Sequence, residues 1–179
     1  MDHAMTGPAV PAIDFILGGA RSGKTRLALA RAEASGLAPV YVATATAGDG
    51  EMAARVAAHR AERGPGWATL EEPLELAGVL ARAAAPERIL LVDCLTLWLS
   101  NLMFAERDIE AETAALVAAL RQLAGPAILV SNEVGLGIVP DNALARRFRD
   151  EQGRLNQAVA AAADRVTFVA AGLSLILKG

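Results

Sequence analysis

Apolar residues in this chain come in short continuous runs. Ile13–Leu17, Pro39–Ala43, Ile89–Asp93, Ala127–Ser131 and Val166–Ala170 are dominated by Val, Ile, Leu and Ala, and one more run, Leu173–Leu177, follows Gly172. Runs of this length without polar alternation are what strands covered on both faces require. Between them, Ala- and Leu-rich stretches at 24–35, 50–63, 75–84, 95–104, 109–123 and 142–163 carry helical spacing. Strand–helix alternation predicts right-handed βαβ units and an α/β fold built on a mainly parallel, doubly wound sheet. Gly172 predicts a tight turn, so the last two strands should form an antiparallel hairpin at one edge. Ligands of such sheets lie beyond the carboxyl ends of the strands. The loops after Leu17, Ala43, Asp93 and Ser131 should therefore face one shared site.

Composition narrows this picture. A chain of 179 residues, 54% hydrophobic, supplies one core, expected over 13–179. The first fourteen residues hold no Lys, Arg or apolar stretch, so 1–12 read as a disordered lead-in with no secretory signal. A net charge of −3 gives no global basic field for nucleic acid or anionic lipid. Positive residues instead cluster at Arg60 and Arg63 and at Arg146, Arg147 and Arg149, which suits a small anion. Cys94 is the only cysteine; no internal disulfide is possible and a reducing cytoplasm is the natural setting. Ile89 to Ala105 is interrupted by Asp93, Ser100 and Asn101 and is too short to span a membrane.

The most specific chemistry follows the first strand. Gly18-Gly19-Ala20-Arg21-Ser22-Gly23-Lys24-Thr25 is the G-x-x-x-x-G-K-[ST] phosphate loop, with a buried strand before it and a helix after it. Its glycines let successive backbone N–H groups turn toward one phosphate chain, and the helix adds its positive dipole end. Lys24 then reaches the β- and γ-phosphates and the Thr25 hydroxyl ligates Mg²⁺. This predicts a single P-loop NTPase (RecA-like) domain. Asp93 closes an aliphatic strand as a Walker B acid does. It either holds Mg²⁺ together with Thr25 or caps the next helix. Asn132 and Glu133, in the loop Ser131–Pro140, either orient a substrate hydroxyl or metal, or belong to a plain connector.

Two helices carry ordered polar stripes. Glu51, Arg55, His59 and Arg63 are four apart and share one face. His59 is either a surface histidine or a nucleophile toward phosphorus, with arginines holding the phosphate oxygens. Arg146, Asp150, Gly153 and Asn156 line a later helix, with glycine where something approaches closely.

These segments together resemble the bifunctional adenosylcobinamide kinase/adenosylcobinamide-phosphate guanylyltransferases of cobalamin biosynthesis. The resemblance rests on GGARSGKT at 18–25, YVAT at 41–44, EMAARVAAHR at 51–60, and Trp67, Thr69 and Glu71 in W-x-T-x-E. SNEVGLGIVP at 131–140, ARRFRDEQGRLNQ at 145–157 and AAAD at 161–164 complete it. A phosphate loop is common to many families, whereas the later motifs are specific. The resemblance implies phosphorylation of adenosylcobinamide by ATP or GTP, with Mg²⁺, then transfer of GMP from GTP to that phosphate. It places a guanylylated histidine at His59. It places further nucleotide contacts at Thr44, Ala45 and Thr46, at Arg60, Ala61, Glu62 and Arg63, and at Glu71 and Asp93. Ala45 departs from the more polar residue the family has there. The resemblance also implies a homotrimer with sites at subunit boundaries. A single-function P-loop kinase with an inert His59 is the alternative reading; a nucleotide-gated switch or assembly ATPase fits less well, because the chain lacks basic or partner-docking segments.

Overall fold

One seven-stranded sheet organises the computed structural model, which describes residues 11–45 and 66–179. Its strands are β1 (Ile13–Gly18), β2 (Ala38–Ala43), β3 (Ala68–Glu71), β4 (Arg88–Asp93), β5 (Ala127–Asn132), β6 (Arg165–Ala170) and β7 (Leu173–Lys178). They lie in the order β3-β2-β4-β5-β1-β6-β7, and every neighbouring pair is parallel except the antiparallel β6–β7 hairpin. The described helices are α1 (Lys24–Ala34), α2 (Leu76–Ala83), α3 (Leu95–Phe104), α4 (Ile109–Leu120) and α5 (Ala143–Ala162). The expected helix at 50–63 and the lead-in up to residue 10 lie outside the described residues.

The continuous apolar runs work because each inner strand feeds two cores. Phe15, Leu17, Val42, Leu90, Val92 and Leu129 pack with α2, α3, α4 and α5 through Leu80, Trp98, Leu116 and Leu155. The alternate positions Ile16, Tyr41, Ala43, Leu91, Ile128 and Val130 pack on the opposite face with Ala28 and Ala32 of α1. A side-chain period of two with both faces covered produces an unbroken hydrophobic run.

The sheet departs from expectation at its two edges. β3 is a strand that the hydropathy pattern does not announce: four residues, Ala-Thr-Leu-Glu, parallel to β2 and only partly buried. At the other edge β7 is exposed along all six residues, so its Leu-rich run does not report coverage on both faces. Its partner in the hairpin, β6, is mostly buried.

Candidate nucleotide-binding site

β1, β2, β4 and β5 end on one edge of the sheet, and the phosphate loop leaves β1 there. Close packing explains why Gly18 is glycine: a Cβ on it would sit 2.2 Å from the Val169 carbonyl oxygen of β6. Gly23, with φ at 101°, turns the chain into α1 through left-handed backbone that favours glycine. The turn between β6 and β7 braces the loop, as the Gly172 N–H donates to the Ser22 carbonyl at 2.9 Å. Ser22 Oγ is buried within the loop with no hydrogen-bond partner among the described residues, an orphan acceptor and donor of the kind a ligand satisfies. Lys24 is buried at 6% exposure, and Nζ donates to the Gly19 carbonyl at 2.5 Å. Burial holds its ammonium below the ordinary lysine value, against the opposing pull of Cys94 and Asp93. Ala20 and Arg21 form the exposed outer bend of the loop, Arg21 with φ at 55°.

Asp93 stands across from α1. Its Oδ2 accepts from Thr25 Oγ1 at 2.9 Å and from the Tyr41 hydroxyl at 3.0 Å. This joins the phosphate loop to the end of β4. The helix-cap alternative finds no support: the N-cap of α3 is Cys94, and no side chain caps it. One hydroxyl and one carboxylate beside the loop are hard oxygen donors suited to Mg²⁺. No group of three or more His, Cys, Asp or Glu poised to hold a metal exists among the described residues.

Thr44 joins two strand ends through its hydroxyl. It is fully buried, and its hydroxyl donates to the Cys94 carbonyl at 2.7 Å and accepts from the Cys94 N–H at 2.9 Å. Its carbonyl accepts from Asn101 Nδ2 at 2.7 Å, which also donates to Pro73 O at 3.1 Å. Thr44 thus ties β2 to the end of β4 across the cis Asp93–Cys94 peptide. Glu71 ends β3 and is exposed. Thr46, His59, Arg60, Ala61, Glu62 and Arg63 lie outside the described residues.

At the end of β5, Ser131 Oγ donates to Asn156 Oδ1 at 2.8 Å and accepts from Gln152 Nε2 at 3.0 Å. Asn156 Nδ2 donates to the Asn132 carbonyl at 3.1 Å. Gln152 and Asn156 of α5 therefore clamp the end of β5, which carries Asn132 and leads into Glu133. Glu133 Oε1 turns back to accept from Gly135 N–H at 2.6 Å. Arg146 holds the same loop through the Pro140 and Asp141 carbonyls. A Cβ on Gly153 would meet nothing within 4 Å among the described residues. Sequence reasoning missed Tyr41, Asn101 and Gln152. Tyr41 and Gln152 lie inside quoted motifs, yet nothing in spacing marks a hydroxyl or amide that reaches across the sheet.

Over residues 14–177 the chain matches the family described as "Cobinamide kinase / cobinamide phosphate guanyltransferase". It is 56% identical over 168 residues to the bifunctional adenosylcobalamin biosynthesis protein CobP of Pseudomonas aeruginosa, covering 93% of this chain and 97% of that one. It is 41% identical to the bifunctional adenosylcobalamin biosynthesis protein CobU of Salmonella typhimurium, covering 92% and 98%. Among solved structures, the flagellar accessory protein FlaH of Methanocaldococcus jannaschii superposes with a TM-score of 0.55 at 13% identity, over 96% of this chain and 81% of that one. That likeness concerns the P-loop NTPase fold alone. Phosphate loop, Walker B acid, later motifs and near full-length identity agree, and the chain belongs to the cobinamide kinase/cobinamide phosphate guanylyltransferase family.

Proposed function

We propose that this chain performs both reactions of its family, phosphorylating adenosylcobinamide and then transferring GMP to the new phosphate, at the carboxyl edge of its sheet. The observation that carries the reading is the phosphate loop with buried Lys24 beside the Thr25–Asp93 pair. In the kinase step the aminopropanol hydroxyl oxygen bonds to the γ-phosphorus of ATP or GTP. The bond from that phosphorus to the β–γ bridging oxygen breaks, and the hydroxyl proton is released. Lys24 and the loop N–H groups neutralise charge on the transferring oxygens, which is the main demand of this chemistry. Thr25 and Asp93 are the residues we assign to Mg²⁺, which would supply positive charge against the nucleotide phosphates there.

The second step needs a nucleophile that the phosphate loop does not contain. We assign it to His59: a ring nitrogen bonds to the α-phosphorus of GTP and pyrophosphate leaves. A phosphate oxygen of adenosylcobinamide phosphate then takes the GMP, freeing the imidazole and giving adenosylcobinamide-GDP. Ala45, Thr46, Arg60 to Arg63 and Glu71 are the further nucleotide contacts in this reading. Both steps belong to one domain over 13–179, with 1–12 outside it.

Two separate apolar patches support a homotrimer. Leu173, Leu175, Ile176 and Leu177 are exposed on β7, and Leu136, Ile138, Val139 and Leu144 are exposed beside the site. A head-to-tail interface joins two different patches and closes a ring, and the open space over Gly153 leaves room for a neighbour. No described helix is long and apolar enough to cross a membrane, and a single unpaired cysteine suits the cytoplasm we assign.

The test is product analysis with adenosylcobinamide, ATP and GTP. Phosphorylated and then guanylylated corrinoid should form in turn. Lys24→Ala should lose roughly 3 kcal/mol of transition-state stabilisation, on the order of 10²-fold in the kinase rate, with its fold kept. Near-normal turnover in that variant would contradict the site.

A further inference from the structure

Tyr41 is nearly buried, at 5% exposure, within the strand run Val40-Tyr41-Val42. Phenylalanine would fill the same space without bringing a polar group into the core, so the hydroxyl needs a reason. Register supplies the geometry. Tyr41 lies opposite Leu91 in the parallel β2–β4 pair, and Ala43 lies opposite Asp93. Asp93 is thus two residues up the neighbouring strand on the same face, roughly 6.6 Å along it. That is about the reach of a tyrosine from Cα to hydroxyl, and the hydroxyl meets Asp93 Oδ2 at 3.0 Å.

Trp67 fixes the other end of the lever. Its ring meets Tyr41 edge-on, centroids 6.3 Å apart at 75°. Trp67 itself packs against the α1-side core. Ring and hydroxyl are therefore both held. Oδ2 receives two donors, Thr25 from the phosphate loop and Tyr41 from β2. Thr25 belongs to the ligand machinery. Tyr41 stands outside the phosphate loop and reaches the carboxylate from the neighbouring strand.

We propose that Tyr41 is a positioning residue that fixes the orientation of the Asp93 carboxylate, with Trp67 holding its ring, and so sets how strongly bound nucleotide is coupled to Mg²⁺. The proposal rests on the assignment of Thr25 and Asp93 to the cation. Without Tyr41, Asp93 keeps its charge and its place on β4 but has one donor fewer to fix its rotamer. Thr25 then loses a well-placed partner. The cost falls on the cation-dependent part of binding and leaves the backbone cradle for phosphate intact.

The test compares the wild type with Tyr41→Phe, which retains the ring against Trp67. Binding of β,γ-imido-GTP is measured calorimetrically, with EDTA and then with Mg²⁺. Metal-free affinity should stay within about twofold, while the gain in affinity on adding Mg²⁺ should fall by about 3- to 10-fold, the scale of one lost hydrogen bond. In an Asp93→Asn background, Tyr41→Phe should have no further effect on that gain. An unchanged Mg²⁺ gain in Tyr41→Phe would overturn the proposal, as would an equal loss with and without the cation, which marks a purely structural residue. A wild type that gains nothing from Mg²⁺ would instead overturn the cation assignment on which the proposal stands.

Discussion

Lys24 and Cys94 are buried beside Asp93, and burial favours the neutral form of each. For Cys94, burial first and the nearby Asp93 carboxylate second push the thiol up to about 11. For Lys24, burial pulls the ammonium down, and a nucleotide phosphate beside it would favour the charged form. Because the thiolate is the reactive form, alkylation of Cys94 at pH 8 should be roughly 100-fold slower in the folded protein than in urea, from the shift alone. Iodoacetamide labelling followed by mass spectrometry reads this out. Equal rates in the two states would contradict the buried environment. At this scale the phosphate loop was fully legible in the sequence, because a phosphate cradle prescribes residue types at fixed spacing. Tyr41 was not legible. Between two valines it reads as core, and its link to Asp93 depends on a strand register that spacing along one chain does not state. The hydroxyl partners of Thr44 were not legible for a related reason. Its motif position was visible, whereas the Cys94 peptide that consumes its hydroxyl comes from another strand.

The strands that carry the site were legible as elements because two-sided burial leaves unbroken Val/Ile/Leu runs, and helix ends followed to within a few residues. β3 escaped because four half-buried residues at an edge need no such run. β7 was recognised as a strand, but its apolar run faces outward: Leu173 is 76% exposed and Leu175 62%. An uncovered apolar edge is an association surface unless it is blunted by charge, and Lys178 at its end is the one charged residue on the strand. Leu175→Glu combined with Leu177→Glu should therefore convert the proposed trimer to monomer in analytical ultracentrifugation. The monomer should keep a native far-ultraviolet spectrum, because neither side chain belongs to the core. A trimer unchanged by both substitutions would place the subunit interface elsewhere.

At the scale of the whole molecule, one sheet edge gathers the residues of the proposed site and their supports from widely separated parts of the chain. Gly18 to Thr25, Tyr41, Asp93 and the Ser131–Asn156 clamp all meet there. The family assignment was legible as well, since its later motifs run nearly to the end of the chain. The guanylyl-transfer half rests on a segment outside the described residues, where His59 stands with Arg60 and Arg63. The most direct measurement is incubation with α-labelled GTP and Mg²⁺ in the absence of corrinoid, followed by denaturing electrophoresis. The wild type should carry label in an acid-labile, alkali-stable bond, as a phosphoramidate requires. His59→Ala should carry none and should lose guanylyl transfer, yet retain much of the kinase activity, which depends on Lys24 and Thr25. Undiminished labelling of His59→Ala would contradict the covalent mechanism.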